Sequence, residues 1–404
     1  MNILLLTPDI PYPTASGAAI RNYGIIRGLV SAGHKLTVLT FVQGEVDKTT
    51  NPLYTICDHV YTANLPTRTK SERIQNLVTS TKADIEYRLQ SDDFEKQLIN
   101  LLNNSTYDVI QFSGIELGCY VTTIHKHNTS AKVIYDALNA EAELQRVIYT
   151  IDRQNPKRLP IAIYSYIQAQ RIKTFERDLC NSVDCVIAVS EEDKQFLSEY
   201  LGAPIYVMSN GIFVDDYIAP DDQPSRHHNE LVYTGKMDYR PNVDAIEWFA
   251  GSILPTIQER LPDTILTIVG RNPHPRIQPY AEEDYITITG WVDSVQPYLH
   301  QATIFIVPLR MGSGTRLKIL EAMASGCAVV STSIGSAGLH DNVRAAMRIA
   351  DDEAEFAQTV VSLLHDTSLR QRLGEQAVQQ VRQYYDWSAL IPKLLSAYED
   401  IGLG

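Results

Sequence analysis

The chain has 404 residues, a net charge of −13 and an isoelectric point near 5.2, a balance that argues against nonspecific nucleic-acid binding. At roughly 100–200 residues per domain, this length means two or three domains with ample core. Five cysteines, an odd number with no C-x-x-C, suggest a reducing compartment and no structural disulfide framework or zinc site, with Cys180 and Cys185 read as buried apolar residues.

The N-terminus, M-N-I-L-L-L-T-P, begins as a strand and lacks a basic n-region and cleavage site. No apolar run reaches the ~18 residues that span a bilayer. The expectation is a cytoplasmic protein, with peripheral contact at the inner face of a membrane left open.

Ile3 to Thr7 reads as a buried parallel strand, and the prolines of P-D-I-P-Y-P-T keep the next segment extended. Ser16-Gly17 opens a helix that runs to about Ala32 and ends at Gly33; Lys35 to Phe41 is the second strand. This β-loop-α-β unit is Rossmann-like. It lacks G-x-G-x-x-G, and no acidic residue ends the second strand, so no dinucleotide cofactor is expected. Strands follow at Val60–Ala63, Asp108–Phe112 and Lys132–Asp136, the last ending in D-A-L-N-A-E. Ligands in open α/β sheets bind at the carboxyl ends of strands. Asp136, Asn139 and Glu141 therefore either orient or deprotonate an acceptor hydroxyl, or serve as a helix N-cap.

From Gln145 to Arg177 the pattern is helical, broken by N-P-K-R-L-P. It carries Arg146, Arg153, Lys157, Arg158, Arg171, Lys173 and Arg177 against Asp152 and Glu176. This is either a solvated face or a peripheral contact with anionic lipid. Strands at Asp184–Ser190 and Ile205–Ser209 lead to N-G-I-F-V-D-D-Y, and Ala219 to Glu230 is the linker candidate. A second α/β domain starts with the strand Leu231–Thr234 and a helix over Asp244–Gly251. Ile265–Val269 ends in G-R-N-P, which sets Arg271 at a strand end; Ile286–Thr289 ends in G-W-V, with Trp291 either in the core or at a site.

Ile304–Leu309 then enters the small-residue turn Gly312-Ser313-Gly314-Thr315, a helix over Arg316–Ser325 stopped by Gly326, and a strand over Cys327–Ser331. Free N–H groups and the helix dipole make such a turn an anion site. Lys318 and Glu321 share one helix face, ~4.5 Å apart along the axis, about the step from a diphosphate to its ribose. Arg316 adds a second cation. The competing reading is that Lys318 and Glu321 pair with each other on a solvated face.

The run G-S-G-T-R-L-K-I-L-E-A-M-A-S-G resembles the donor-site signature of retaining GT-B glycosyltransferases of family 4, in a bacterial variant. The resemblance implies an α/β GT-B fold: two Rossmann-like domains facing across a cleft, over 1–218 and 219–384, with a C-terminal helix over 385–404 crossing back to the first. It implies transfer of a sugar from a UDP- or GDP-sugar to a hydroxyl acceptor with retention, with no cofactor beyond that co-substrate, as in cell-surface polysaccharide or glycoconjugate synthesis. Gly17 then approaches the donor diphosphate, Lys236 stands where relatives hold phosphate, and the backbone of Trp291 and Val292 meets the nucleobase. Lys318, Arg316 and Lys236, with Gly312 to Thr315, carry the leaving charge, and no Asp-x-Asp holds a metal. Ser313 stands where the family's E-x7-E pattern has its first Glu. Two other functions compete: a nucleotide-sugar epimerase or hydrolase of the same fold, and a subunit that only binds.

Overall fold

Short apolar runs buried on both faces are the mark of parallel strands covered by helices, and here they build two parallel sheets. The computed structural model describes every residue except 15, 128–129, 154–158, 221–225, 312–315 and 404. The first sheet holds β1 (Asn2–Thr7), β2 (Lys35–Val42), β3 (His59–Asn64), β4 (Val109–Ser113), β5 (Lys132–Ala137), β6 (Cys185–Ala188) and β7 (Ile205–Val207), in the order 3-2-1-4-5-6-7. Its strand order reverses between β1 and β4, the place where an open sheet leaves a crevice at its carboxyl edge. Three helices of this unit bear on function: α1 (Gly17–Ser31), α2 (Glu141–Asp152) and α3 (Leu159–Cys180). Ser16 starts α1, its Oγ accepting from the Ala19 N–H at 3.0 Å. Cys180 and Cys185 are buried free thiols.

The second sheet holds β8 (Glu230–Thr234), β9 (Ile265–Val269), β10 (Ile286–Ile288), β11 (Ile304–Val307), β12 (Ala328–Ser331) and β13 (Arg348–Ile349), in the order 10-9-8-11-12-13. Its reversal falls between β8 and β11. Helix α4 (Arg240–Trp248) follows β8, and α5 (Leu317–Ala324) lies between β11 and β12. Pro241 opens α4 earlier than the apolar pattern indicates, and Trp248 and Phe249 are buried. Gly326 ends α5 with φ +69°, a left-handed conformation that a glycine takes freely.

The chain forms two compact units, Met1–Asn210 with Leu390–Gly404, and Gly211–Ala389. The division falls before residue 218 because the segment after Asn210 is tied to the second unit. Ile212 bridges to Asp386, and the Val214 N–H donates to the Asp386 carboxylate at 2.8 Å. The last helix, α6 (Trp387–Asp400), starts in the second unit and returns to the first from Leu390 onward. There Ile391 packs so closely on Gly28 of α1 that a Cβ at Gly28 would lie 2.3 Å from Ile391 Cγ1. Tyr398 donates its hydroxyl to Gln111 on β4.

Candidate functional site

At the β8/β11 reversal of the second unit, α5 carries Lys318 into a pocket of neutral acceptors. The Lys318 ammonium donates to Tyr233 Oη at 3.1 Å and to Asn242 Oδ1 at 3.0 Å, and lies 4.3 Å from the centre of the Tyr233 ring. Tyr233 in turn donates to Asn242 Oδ1 at 2.6 Å, and Asn242 Nδ2 donates to the Lys236 carbonyl at 2.9 Å. Gly235 makes the approach possible: a Cβ there would lie 2.9 Å from Lys318 Nζ and 2.8 Å from Asn242 Nδ2. Burial, and then the nearby Arg316 guanidinium, push the Lys318 pKa down to about 7.

One turn along, Glu321 does not pair with Lys318. Its Oε1 accepts from the Tyr217 hydroxyl at 2.9 Å, and burial pushes its pKa up. The two side chains thus face different partners, as two parts of one ligand would require, and the self-paired face is not what forms. Arg316, just before α5, is buried and donates to the Ile334 carbonyl at 2.9 Å, with its pKa pushed down by burial. Lys236 and Arg271 are exposed on the loops after β8 and β9, Lys236 lying 3.4 Å from Asp238. Trp291 is 68% exposed after β10, so it is no core residue, while Val292 is half-buried against the second unit's core. Gly312, Ser313, Gly314 and Thr315 lie outside the described residues.

The first unit treats its candidate carboxylate differently. Asp136 is fully buried on β5 and is taken by Arg21 of α1, which is also fully buried. Arg21 Nη2 lies 2.6 Å from Oδ1 and Nε 2.9 Å from Oδ2, and Ser113 Oγ adds a bond at 3.2 Å. Arg21 Nη1 also donates to the Met208 carbonyl at 2.8 Å and to Asn210 Oδ1 at 3.0 Å. A carboxylate so held has no room for an acceptor hydroxyl, which corrects the expectation that Asp136 acts on one.

Nor does Asp136 cap a helix. That work falls to Glu176 of α3, which accepts the N–H groups of Glu141 at 2.8 Å and Ala142 at 3.4 Å, at the start of α2. Tyr200 Oη donates to Glu176 as well, at 2.9 Å, and burial pushes the Glu176 pKa up to about 7. Asn139 is exposed and donates to Glu141 at 3.0 Å; burial raises the Glu141 pKa. Gly17 is exposed in the first turn of α1, and a Cβ there would meet nothing within 4 Å, so packing does not require a glycine. Beside it, Asp9 accepts from Ser16 Oγ at 3.0 Å through one oxygen, while the other is buried without a partner among the described residues.

Sequence reasoning passed over Tyr217, Tyr233, Asn242, Arg21 and Asp9. Tyr217 ends the quoted N-G-I-F-V-D-D-Y run, and Asn242 lies in the first turn of α4, ahead of where the apolar pattern starts that helix. Nothing in the pattern marks Tyr233 or Arg21, which read as strand and helix interior.

Two family descriptions match the chain: Glycosyltransferase Family 4 over residues 15–216, and Glycosyl transferases group 1 over residues 228–366. A 44.6 kDa protein in the cps region of Klebsiella pneumoniae is 23% identical, covering 95% of this chain and 96% of its own length. The phosphatidyl-myo-inositol mannosyltransferase of Mycolicibacterium smegmatis is 24% identical over 69% of this chain and 71% of its own. Among solved structures, Anabaena HepE in complex with UDP and glucose superposes with a TM-score of 0.65 at 13% identity, covering 99% of this chain and 100% of that one.

Proposed function

The chain belongs to glycosyltransferase family 4, and on that premise we propose that it moves a sugar from a UDP- or GDP-sugar to a hydroxyl acceptor with retention, in cell-surface polysaccharide or glycoconjugate synthesis. The observation that carries this reading is the Lys318 ammonium, half-buried at a strand-order reversal among neutral acceptors. Such a cation lacks a full counter-charge, and a diphosphate supplies one. When the bond from the anomeric carbon to the diphosphate oxygen breaks, the electron pair leaves with the nucleotide. Lys318 and Arg316 then meet the growing negative charge. Glu321 accepts from the ribose hydroxyls, with Tyr217 fixing its carboxylate. Trp291 and Val292 meet the base. We assign no metal to the step, since side-chain cations can carry the leaving charge, and no covalent intermediate. The relatives' printed names support the donor and setting: UDP and glucose for HepE, mannosyl transfer to a lipid for the mycobacterial enzyme, and a cps region for the Klebsiella protein.

The test is thermal stabilisation by UDP, GDP, ADP and NAD, with Glu321→Ala alongside. A ligand at a hundred times its Kd adds about 2.7 kcal/mol to a native state that alone binds it. Stabilisation by UDP or GDP that fades in Glu321→Ala is expected; stabilisation by NAD alone would overturn the reading. Product analysis then separates transfer, which makes a new glycoside, from epimerisation, which leaves the nucleotide sugar whole. Activity should survive EDTA.

A further inference from the structure

The amino ends of β8, β11 and β12 in the second unit border a cleft of about 600 Å³, reached at Asn229, Thr303 and Ala328. Arg226, Arg370, His227, His228 and His365 also line it, and no carboxylate stands among its described lining residues, in a chain whose net charge is −13. The two guanidiniums meet only neutral acceptors. Arg226 Nη1 donates to the carbonyls of Leu299 at 2.9 Å and Ala302 at 2.8 Å and lies 3.2 Å from Cys327 Sγ; its Nη2 donates to the Ser325 carbonyl at 2.7 Å. Arg370 Nη1 donates to the carbonyls of Leu363 and Leu364, the second at 2.7 Å, and its Nη2 to Thr367 Oγ1 at 2.9 Å. Burial pushes the Arg370 pKa down; Asp366 opposes this, and the nearby Arg226 guanidinium adds to it. The carboxylates of the neighbourhood are engaged elsewhere. Asp366 caps the helix Thr367–Tyr385 through the Leu369 N–H at 2.8 Å. Glu230 is buried between His227 Nδ1 at 2.5 Å and Thr267 Oγ1 at 2.6 Å, and Asp263 lies 3.4 Å from His228.

Part of what the arginines do is structural. Arg226 holds the carbonyl ends of the helix Gln296–Gln301 and of α5, and Arg370 that of the helix Glu353–His365. A helix end offers about half a negative charge, shared here between whole cations. Each guanidinium also keeps its Nε–H and one Nη2–H without a partner among the described residues. We infer that this cleft binds a small phosphate-bearing ligand, apart from the site around Lys318. A phosphate brings close to two charges and three acceptor oxygens, which suits two guanidiniums with donors to spare. The volume is that of a small-molecule site and exceeds what one phosphate fills. No phenyl or indole ring is among the described lining residues, so a nucleobase finds no such face to stack on, and a phosphorylated metabolite fits better than a nucleotide. Lys318 stands at the start of α5 and Ser325 just past its end, about 10 Å further along the axis at 1.5 Å per residue. The two sites are therefore distinct, and the inference does not rest on the donor-site reading.

The test is calorimetric titration of the full chain with inorganic pyrophosphate, with the ionic strength held constant by sodium chloride. Lys318→Met is the background, so that the site around Lys318 is silenced. Pyrophosphate should bind to this chain with a stoichiometry of one. Adding Arg370→Gln should weaken that binding at least tenfold, roughly the scale of one charge-assisted hydrogen bond. Because Arg370 also ties a helix end, His365→Glu with Gln371→Glu is the second variant. Both side chains are exposed, so the melting temperature should stay in place while pyrophosphate binding again falls at least tenfold. No pyrophosphate binding in the Lys318→Met chain, or binding that the exposed pair leaves unchanged, would overturn the inference. With Lys318 intact, stabilisation by UDP or GDP should be the same with and without His365→Glu and Gln371→Glu, so failure of the cleft and failure of the donor site are told apart.

Discussion

Two charged side chains sit at the strand-order reversals of the two units, and their surroundings differ in one respect. In the first unit Arg21 and Asp136 neutralise each other completely, with Ser113, Asn210 and a carbonyl closing the remaining valences. In the second, Lys318 has a tyrosine hydroxyl and an amide oxygen for company, and its carboxylate neighbour Glu321 is bound to Tyr217 instead. The first arrangement is complete as it stands and serves architecture. The second holds an ammonium whose charged form burial disfavours, which is the feature on which the proposed donor site rests.

The sharpest way to break this contrast is to remove one charge from each. Asp136→Ala leaves Arg21 buried and uncompensated, so denaturant unfolding should show a loss of about 3–5 kcal/mol. A loss below ~1 kcal/mol would mean that water or a shifted backbone compensates. Lys318→Ala should do the reverse. Turnover should fall on the order of 10²–10³-fold, the scale for losing one donor to a developing charge. Equilibrium stability should hold or rise, because an unfavourably buried cation has gone. Glu321→Ala comes next in size: one charged hydrogen-bond acceptor is worth about 1.5–3 kcal/mol, so donor affinity should drop by roughly 10- to 150-fold in a binding titration. The smallest effect belongs to Gly17→Ala, which should leave stability within ~0.5 kcal/mol because the added methyl meets nothing. A lowered donor affinity in that variant would assign Gly17 to the site, and an unchanged one would release it.

Much of this was legible in the chain. Apolar runs located the sheets because parallel strands buried on both faces need continuous hydrophobicity, as in Ile3–Thr7 and Ile304–Val307. The two-residue strand Arg348–Ile349 has too little pattern to be seen. Lys318 and Glu321 were legible as one helix face, since helical spacing is local. What holds them was not. Tyr233 and Asn242 reach Lys318 from 85 and 76 residues away, and Arg21 reaches Asp136 across 115. Such pairings depend on strand order, which no single stretch encodes. The same gap explains why a strand-end Asp136 looked available: the sequence places it at the carboxyl edge of the sheet but does not show the arginine already there. Trp291 was open between core and site, and its exposure removes the core reading alone, because a residue after a strand end can turn either way.

The Lys318 shift also fixes a sign for pH. With a folded pKa near 7, below its ordinary value of 10.5, the unfolded chain binds more protons between those limits. This group's contribution therefore makes the free protein more stable as pH rises from about 7 toward 10.5, whereas a bound diphosphate favours the ammonium and should lose affinity as pH rises above about 7.

Proton uptake on nucleotide binding tests the poised cation most directly. Calorimetric titration at pH 8 with UDP or GDP, whichever stabilises the protein, is repeated in buffers of different ionisation heat. At that pH the nucleotide's own phosphates are already ionised, their second pKa being ~6. The wild type should take up close to one proton per nucleotide bound, about the fraction by which Lys318 is neutral one pH unit above its pKa. Lys318→Met should take up none. No uptake by the wild type, or the same uptake in both, would mean that Lys318 is not the group awaiting the diphosphate.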